Sequence, residues 1–232
     1  MGLLWNPLYW VFTLPALLLA LYAQWRVRSS YNKYLQVPNA RGVSGVEAAQ
    51  RLMRTAGFHV NVEGTSGQLS DHYDPRKKVL RLSESVARRS SVASVAIVAH
   101  EMGHAEQDFK AFALLRLRSG LVPIVNFTSW LGPLLFMVGI LFNSPGLAWV
   151  GVIAFAGAVL FSLVTLPVEL NASRRGLRLL EESGIIVNEK EKRGAKQVLN
   201  AAALTYVAAL AQSLSTLLYY VFILSGGRRR RS

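Results

Sequence analysis

Hydrophobic positions gather in four long blocks, Leu3–Trp25, Leu121–Phe142, Leu147–Leu166 and Ala201–Leu224, none of which contains a Lys, Arg, Asp or Glu. A helix needs roughly 20 apolar residues to cross the hydrocarbon core of a bilayer. The pattern therefore predicts about four transmembrane helices, at 3–25, 119–142, 146–167 and 201–224. Asn143–Gly146 is a short turn, so the second and third blocks form a hairpin. The fourth block is the least apolar, with Thr205, Gln212, Ser213, Ser215 and Thr216 in it.

Between the blocks the periodicity changes. Val46, Ala49, Leu52 and Met53 recur at helical spacing, which predicts a helix over 45–56 closed by Gly57. Val60 and Val62 alternate with polar neighbours, as a short strand does. Gly64–Gly67 reads as a loop. Asp74-Pro75 reads as a turn leading into a second strand, Lys78–Leu82. The basic flank Arg76, Lys77, Lys78 and Arg81 suggests a guarded sheet edge, to which an extended peptide could add. Ser83 and Ser85 are candidate caps. Ser91 to about Arg118 reads as one long helix. Residues 168–183 continue as helix beyond the third block, up to Gly184.

Composition and charge then place the chain. Of its 232 residues, 52% are hydrophobic, and 26 Lys and Arg against 13 Asp and Glu give a net charge of +13. Nucleic acid is one reading of such an excess. Here the basic residues flank the apolar blocks: Arg26, Arg28 and Lys33 after the first, Arg116 and Arg118 before the second, and a cluster from Arg174 to Lys196 before the fourth. That is the positive-inside pattern. It predicts a multi-pass plasma-membrane protein in contact with lipid, with 26–118 and 168–200 in the cytoplasm and no nucleic-acid partner. The first block lacks a basic n-region, so it reads as an uncleaved anchor rather than a secretory signal. The tail 225–232, with Arg228–Arg231, runs against the rule if all four blocks cross. With no cysteine in the chain, any metal must be held by His and carboxylates.

His100-Glu101-Met102-Gly103-His104 places two histidines four apart, on one face of a helix, where both imidazoles can reach one zinc ion. Glu101 stands where a general base and then acid for water attack would sit. A catalytic zinc needs a third protein ligand, and none follows at close spacing, because positions 107 and 110 are Gln and Lys. Glu169 is the preferred choice: it follows the apolar run Leu160–Pro167, where a carboxylate is costly unless a cation or metal meets it. The competing reading pairs Glu169 with Arg174 or Arg178. Asp71, His72, Asp74, Glu106 and Asp108 are the other candidates. His72 sits in a polar turn, as a surface residue or as a donor that polarises a substrate carbonyl. Tyr206, in an apolar helix, is either packing or a donor to the developing oxyanion.

The segments Asp71–Pro75, Val98–Gln107, Thr165–Ser173 and Ala201–Ala209 together resemble the bacterial YugP-type neutral zinc metallopeptidases, small membrane proteins. A more distant similarity is to membrane gluzincins of the Ste24 and HtpX type, which pair HExxH with a glutamate in an ExxAD segment. Glu169 matches that glutamate. Ser173 stands where the pattern has aspartate, so Ser173 or Asn171 would have to orient a ligand histidine instead.

The expected fold is a mainly α-helical membrane protein with a discontinuous cytoplasmic α+β zincin-like domain built from 26–118 and 168–200. The expected activity is zinc endopeptidase: His100, His104 and Glu169 hold one Zn2+ per chain, Glu101 is the base, and His72 or Tyr206 is the stabilising donor. Substrates would be peptides or membrane proteins, and an adaptor or regulatory protein is a further expected partner. The rivals are a non-catalytic zinc-containing scaffold or chaperone-like partner and a zinc transporter. An intact Glu101 argues against the first, and the scarcity of polar residues in blocks two and three against the second.

Overall fold

The computed structural model describes residues 7–226. The start of the first apolar block and the arginines of the tail lie outside the described residues. The elements are α1 (Pro7–Leu35), α2 (Gly45–Ala56), β1 (Asn61–Thr65), β2 (His72–Asp74), β3 (Val79–Ser83), α3 (Glu84–Arg88), α4 (Val92–Phe109), α5 (Ala113–Leu141), α6 (Pro145–Glu182) and α7 (Glu189–Gly226). They form two compact units. One comprises Met1–Ala23, Leu117–Leu166 and Thr205–Ser232, the other Gln24–Arg116 and Pro167–Leu204.

The first unit is apolar outside as well as inside. Helices α1, α5, α6 and α7 are each long and apolar enough to cross a membrane. Leu141, Phe142 and Ile153 are more than two-thirds exposed, a surface that lipid rather than water would cover. Phe136 stacks on Tyr220 with ring centroids 4.0 Å apart, and Tyr9 meets Tyr219 edge-on. In the α5–α6 hairpin a Cβ on Gly132, Gly139 or Gly151 would meet backbone of the facing helix, so small residues let the two helices touch. Three polar side chains of the fourth block bond backbone carbonyls. Ser213 and Thr216 donate back to carbonyls of their own helix, and Ser215 donates to the Phe12 carbonyl.

The second unit is a small α+β layer. Ser44 and Glu47 form a capping box that starts α2, and Gly57, at φ 74°, ends it. The sheet order is β1-β3-β2, with β1 parallel and β2 antiparallel to β3. Leu52 of α2, Leu80 and Leu82 of β3, Val95, Val98 and Met102 of α4, and Leu179 and Leu180 of α6 share one core.

Two expectations are corrected. The strand read as an exposed edge is the central one: Val79, Leu80, Leu82 and Ser83 are buried, and the basic residues Arg76, Lys77 and Lys78 belong to the turn before it. The long helix expected from Ser91 to Arg118 breaks at Lys110–Phe112. Phe112 N–H bonds the Gln107 carbonyl at 2.8 Å and Ala111 N–H that of Asp108 at 3.0 Å. That is a Schellman closure with Ala111, at φ 53°, in the position glycine usually takes.

Where α4 meets α6 the backbones touch. A Cβ on Gly103 would collide with the Ala172 carbonyl, and one on Gly176 with that of Ala99. Overpacking of this kind costs about 1–3 kcal/mol. Gly103→Ala is therefore expected to lower the Tm of the purified protein clearly. An unchanged Tm would overturn the close crossing.

Candidate metal centre

The α4–α6 contact assembles the site. His100 and His104 project from one face of α4, their ring centroids 4.8 Å apart and their planes nearly perpendicular. Glu169, on α6, turns its Oε2 to both rings, 3.2 Å from His100 Nε2 and 3.3 Å from His104 Nε2. The Glu169 side chain is 2% exposed. One ligand atom from each of the three residues lies within 4.8 Å of the others. Behind the rings, Ser173 Oγ lies 3.1 Å from His100 Nδ1, and Gln107 Oε1 lies 3.0 Å from His104 Nδ1.

Glu101 is buried beside the histidines. It accepts a 2.8 Å hydrogen bond from the Tyr73 N–H of β2. Burial pushes its carboxyl up to about 7, against the opposing influence of His100 and that N–H. Tyr73 is fastened a second time, its hydroxyl donating to Asp108 Oδ2 at 2.9 Å.

Asp71, Asp74, His72 and Glu106 make their polar contacts outside the cluster. Asp71 accepts from the backbone and hydroxyl of Ser83. Asp74 pairs with Arg81 at 2.9 Å. His72 is exposed, its Nδ1 2.8 Å from the Ser70 carbonyl and its Nε2 3.4 Å from Arg81. Strand alternation turns it to the face opposite Tyr73, which packs toward α4. Tyr206 belongs to the apolar unit, on α7. Glu106 is engaged by Lys110, Arg175 and Arg178. That occupies Arg178, one of the two partners considered for Glu169. Arg174 Nε donates to the Leu170 carbonyl at 3.4 Å.

A family model described as "Putative neutral zinc metallopeptidase" matches residues 9–225. The chain belongs to this family. The curated "Putative membrane protease YugP" of Bacillus subtilis (strain 168) is 44% identical over 222 residues, which cover 95% of this chain and 98% of that one. No solved structure matches.

The residues of this family member fit the metal in the family's description. Two imidazole nitrogens and one carboxylate oxygen converge from buried and half-buried side chains, a donor set and charge suited to Zn2+. Sequence reasoning named the three converging groups, and of its two candidates for orienting a histidine, Ser173 is the one beside His100; it missed Gln107 behind His104. Gln107 was weighed only as a failed ligand position. Its signal was there: a buried amide three residues after His104, on a helix, can reach back to the ring.

Burial pushes the Glu106 carboxyl up, but hydrogen bonds from Lys110 and Arg178 outweigh it and hold it below the ordinary value of 4.5. A lowered carboxylate contributes stability at pH above its unfolded value and loses it as pH falls through its folded one. Glu106→Gln is expected to cost about 1–3 kcal/mol at pH 7. The Tm gap between parent and variant should narrow on acidification below 4.5. A gap that does not change with pH would contradict this account.

Proposed function

We propose that this chain is a zinc-dependent endopeptidase of a bacterial plasma membrane, cleaving peptides or membrane proteins near the cytoplasmic surface. The observation that carries the reading is the convergence of His100, His104 and Glu169 on one point, with a buried carboxylate, Glu101, next to the first ligand. When bound, zinc supplies a Lewis acid that polarises the scissile carbonyl and eases deprotonation of water.

The chain's own groups do the rest. His100 and His104 offer Nε2 atoms on one helical face, and Glu169 closes the set from α6. Glu101 takes the proton of the attacking water and returns it to the leaving amine. β1 and β2 are the edges of the sheet, and the outward N–H of β2, that of Tyr73, is taken by Glu101.

Glu101→Gln is expected to lower peptidase activity about 10²–10⁴-fold while zinc remains bound. Glu169→Ala should abolish tight zinc binding. Full activity in Glu101→Gln, with zinc bound, would sink the mechanism; a zinc-loaded parent without peptidase activity would favour the scaffold reading.

The cytoplasmic placement rests on the basic flanks of the apolar helices. The chain has no cysteine, so single cysteines report topology cleanly. Arg88→Cys, in α3, should resist a membrane-impermeant maleimide until cells are permeabilised. Gly146→Cys, at the start of α6 where a side chain meets open space, should label in intact cells. The reverse pattern would invert the topology.

A further inference from the structure

The polar groups behind His104 form a chain whose hydrogen-bond direction is set at its far end. Arg175 Nε, which can only donate, gives a 2.7 Å bond to Asn171 Oδ1. That oxygen also accepts from Gln107 Nε2 at 3.0 Å. The same Nε2 gives its second hydrogen to the Val168 carbonyl at 2.8 Å. The Gln107 amide therefore has one orientation. Flipped, its oxygen would face two acceptors. With both hydrogens spent, Oε1 is turned on His104 Nδ1 and can only accept. Nδ1 must then carry the proton, which leaves the Nε2 lone pair directed at Glu169 Oε2.

From this we infer that Gln107 is a positioning residue that fixes the tautomer of His104, with Arg175 and Asn171 setting its polarity. The inference rests on the proposed zinc site and adds to it the group that readies one ligand before metal arrives. The two histidines are not treated alike. His100 Nδ1 faces the Ser173 hydroxyl, which can donate or accept, so that ring is oriented without being held to one tautomer. Gln107 is fully buried, and all four side chains lie in α4 and α6. Arg175 is itself held by Glu106 at 3.3 Å and lies over the Phe112 ring. Partners of this kind behind a metal-bound histidine are typically worth 10- to 100-fold in metal affinity.

The test is the order of zinc affinities in position-107 variants of the full-length protein in detergent, measured by competition with a chromophoric chelator. Gln107→Leu keeps bulk and removes the acceptor. Gln107→Met does the same with a flexible chain, should Gln107→Leu fail to fold. Gln107→Glu keeps an acceptor toward His104 whether its carboxyl is ionised or protonated. Polarity control predicts that Gln107→Glu stays within a few-fold of the parent while Gln107→Leu and Gln107→Met fall roughly 10- to 100-fold. A role in packing alone predicts the reverse order, since a buried carboxyl is tolerated less well than an aliphatic chain. That reverse order, or parental affinity in Gln107→Leu or Gln107→Met, would overturn the inference. Peptide hydrolysis by the parent is assayed separately. Its absence, with zinc bound tightly and the predicted order observed, would remove the peptidase reading and leave the role of Gln107 standing.

Discussion

Everything at the candidate metal centre depends on two helices lying closer than side chains ordinarily permit. Gly103 sits inside the HEMGH pentapeptide itself, and its missing Cβ is what admits the Ala172 carbonyl. Gly176 plays the same part against Ala99. Glu169 and Ser173 reach His100 across this contact, and Glu169 also meets His104. The two segments are 65 or more residues apart in sequence, and neither alone holds three donors. The glycine is thus as much a part of the site as the histidines that flank it.

Around that contact lie two polar layers of different character. The inner one, Gln107, Asn171 and Ser173, consists of neutral groups with short reach that orient the rings without adding charge beside them. The outer one, Glu106 with Lys110, Arg175 and Arg178, is ionic and partly open to water. Arg175 belongs to both, donating to Asn171 on one side and to Glu106 on the other. The expensive buried carboxylate, Glu169, is answered from within the site, whereas Glu106 is answered at its rim. Charge compensation and ring orientation fall to different layers, joined at Arg175.

How much of this was legible in the chain depended on the range of the signal. The α2 helix, with Ser44, Glu47 and Gly57 at its ends, is written locally, and so is the turn at Asn143–Gly146. Glu169 was legible because a carboxylate after an apolar run needs a reason. The end of α4 was not, because Ala111 takes a left-handed conformation without the glycine that usually announces one. The place of β3 in its sheet was misread because basic residues at one end of a strand say nothing of what pairs along its sides. Gln107, Tyr73 and Glu106 act through partners on other elements, and those pairings exist only after the helices dock.

The bond from Tyr73 N–H to Glu101 ties the catalytic candidate to a strand three residues long. In the ladder with β3, His72 faces Arg81, Tyr73 faces Leu80 and Asp74 faces Val79. Main-chain N–H groups alternate between the two sides of a strand, so Tyr73 points outward while its neighbours point to β3. A slip of β2 by one place would turn a C=O–N–H row the other way and leave a buried carboxylate with no donor. The hairpin turn at Pro75–Lys78 can therefore vary in its side chains far more freely than in its number of residues. In this fold, loop length becomes a determinant of chemistry.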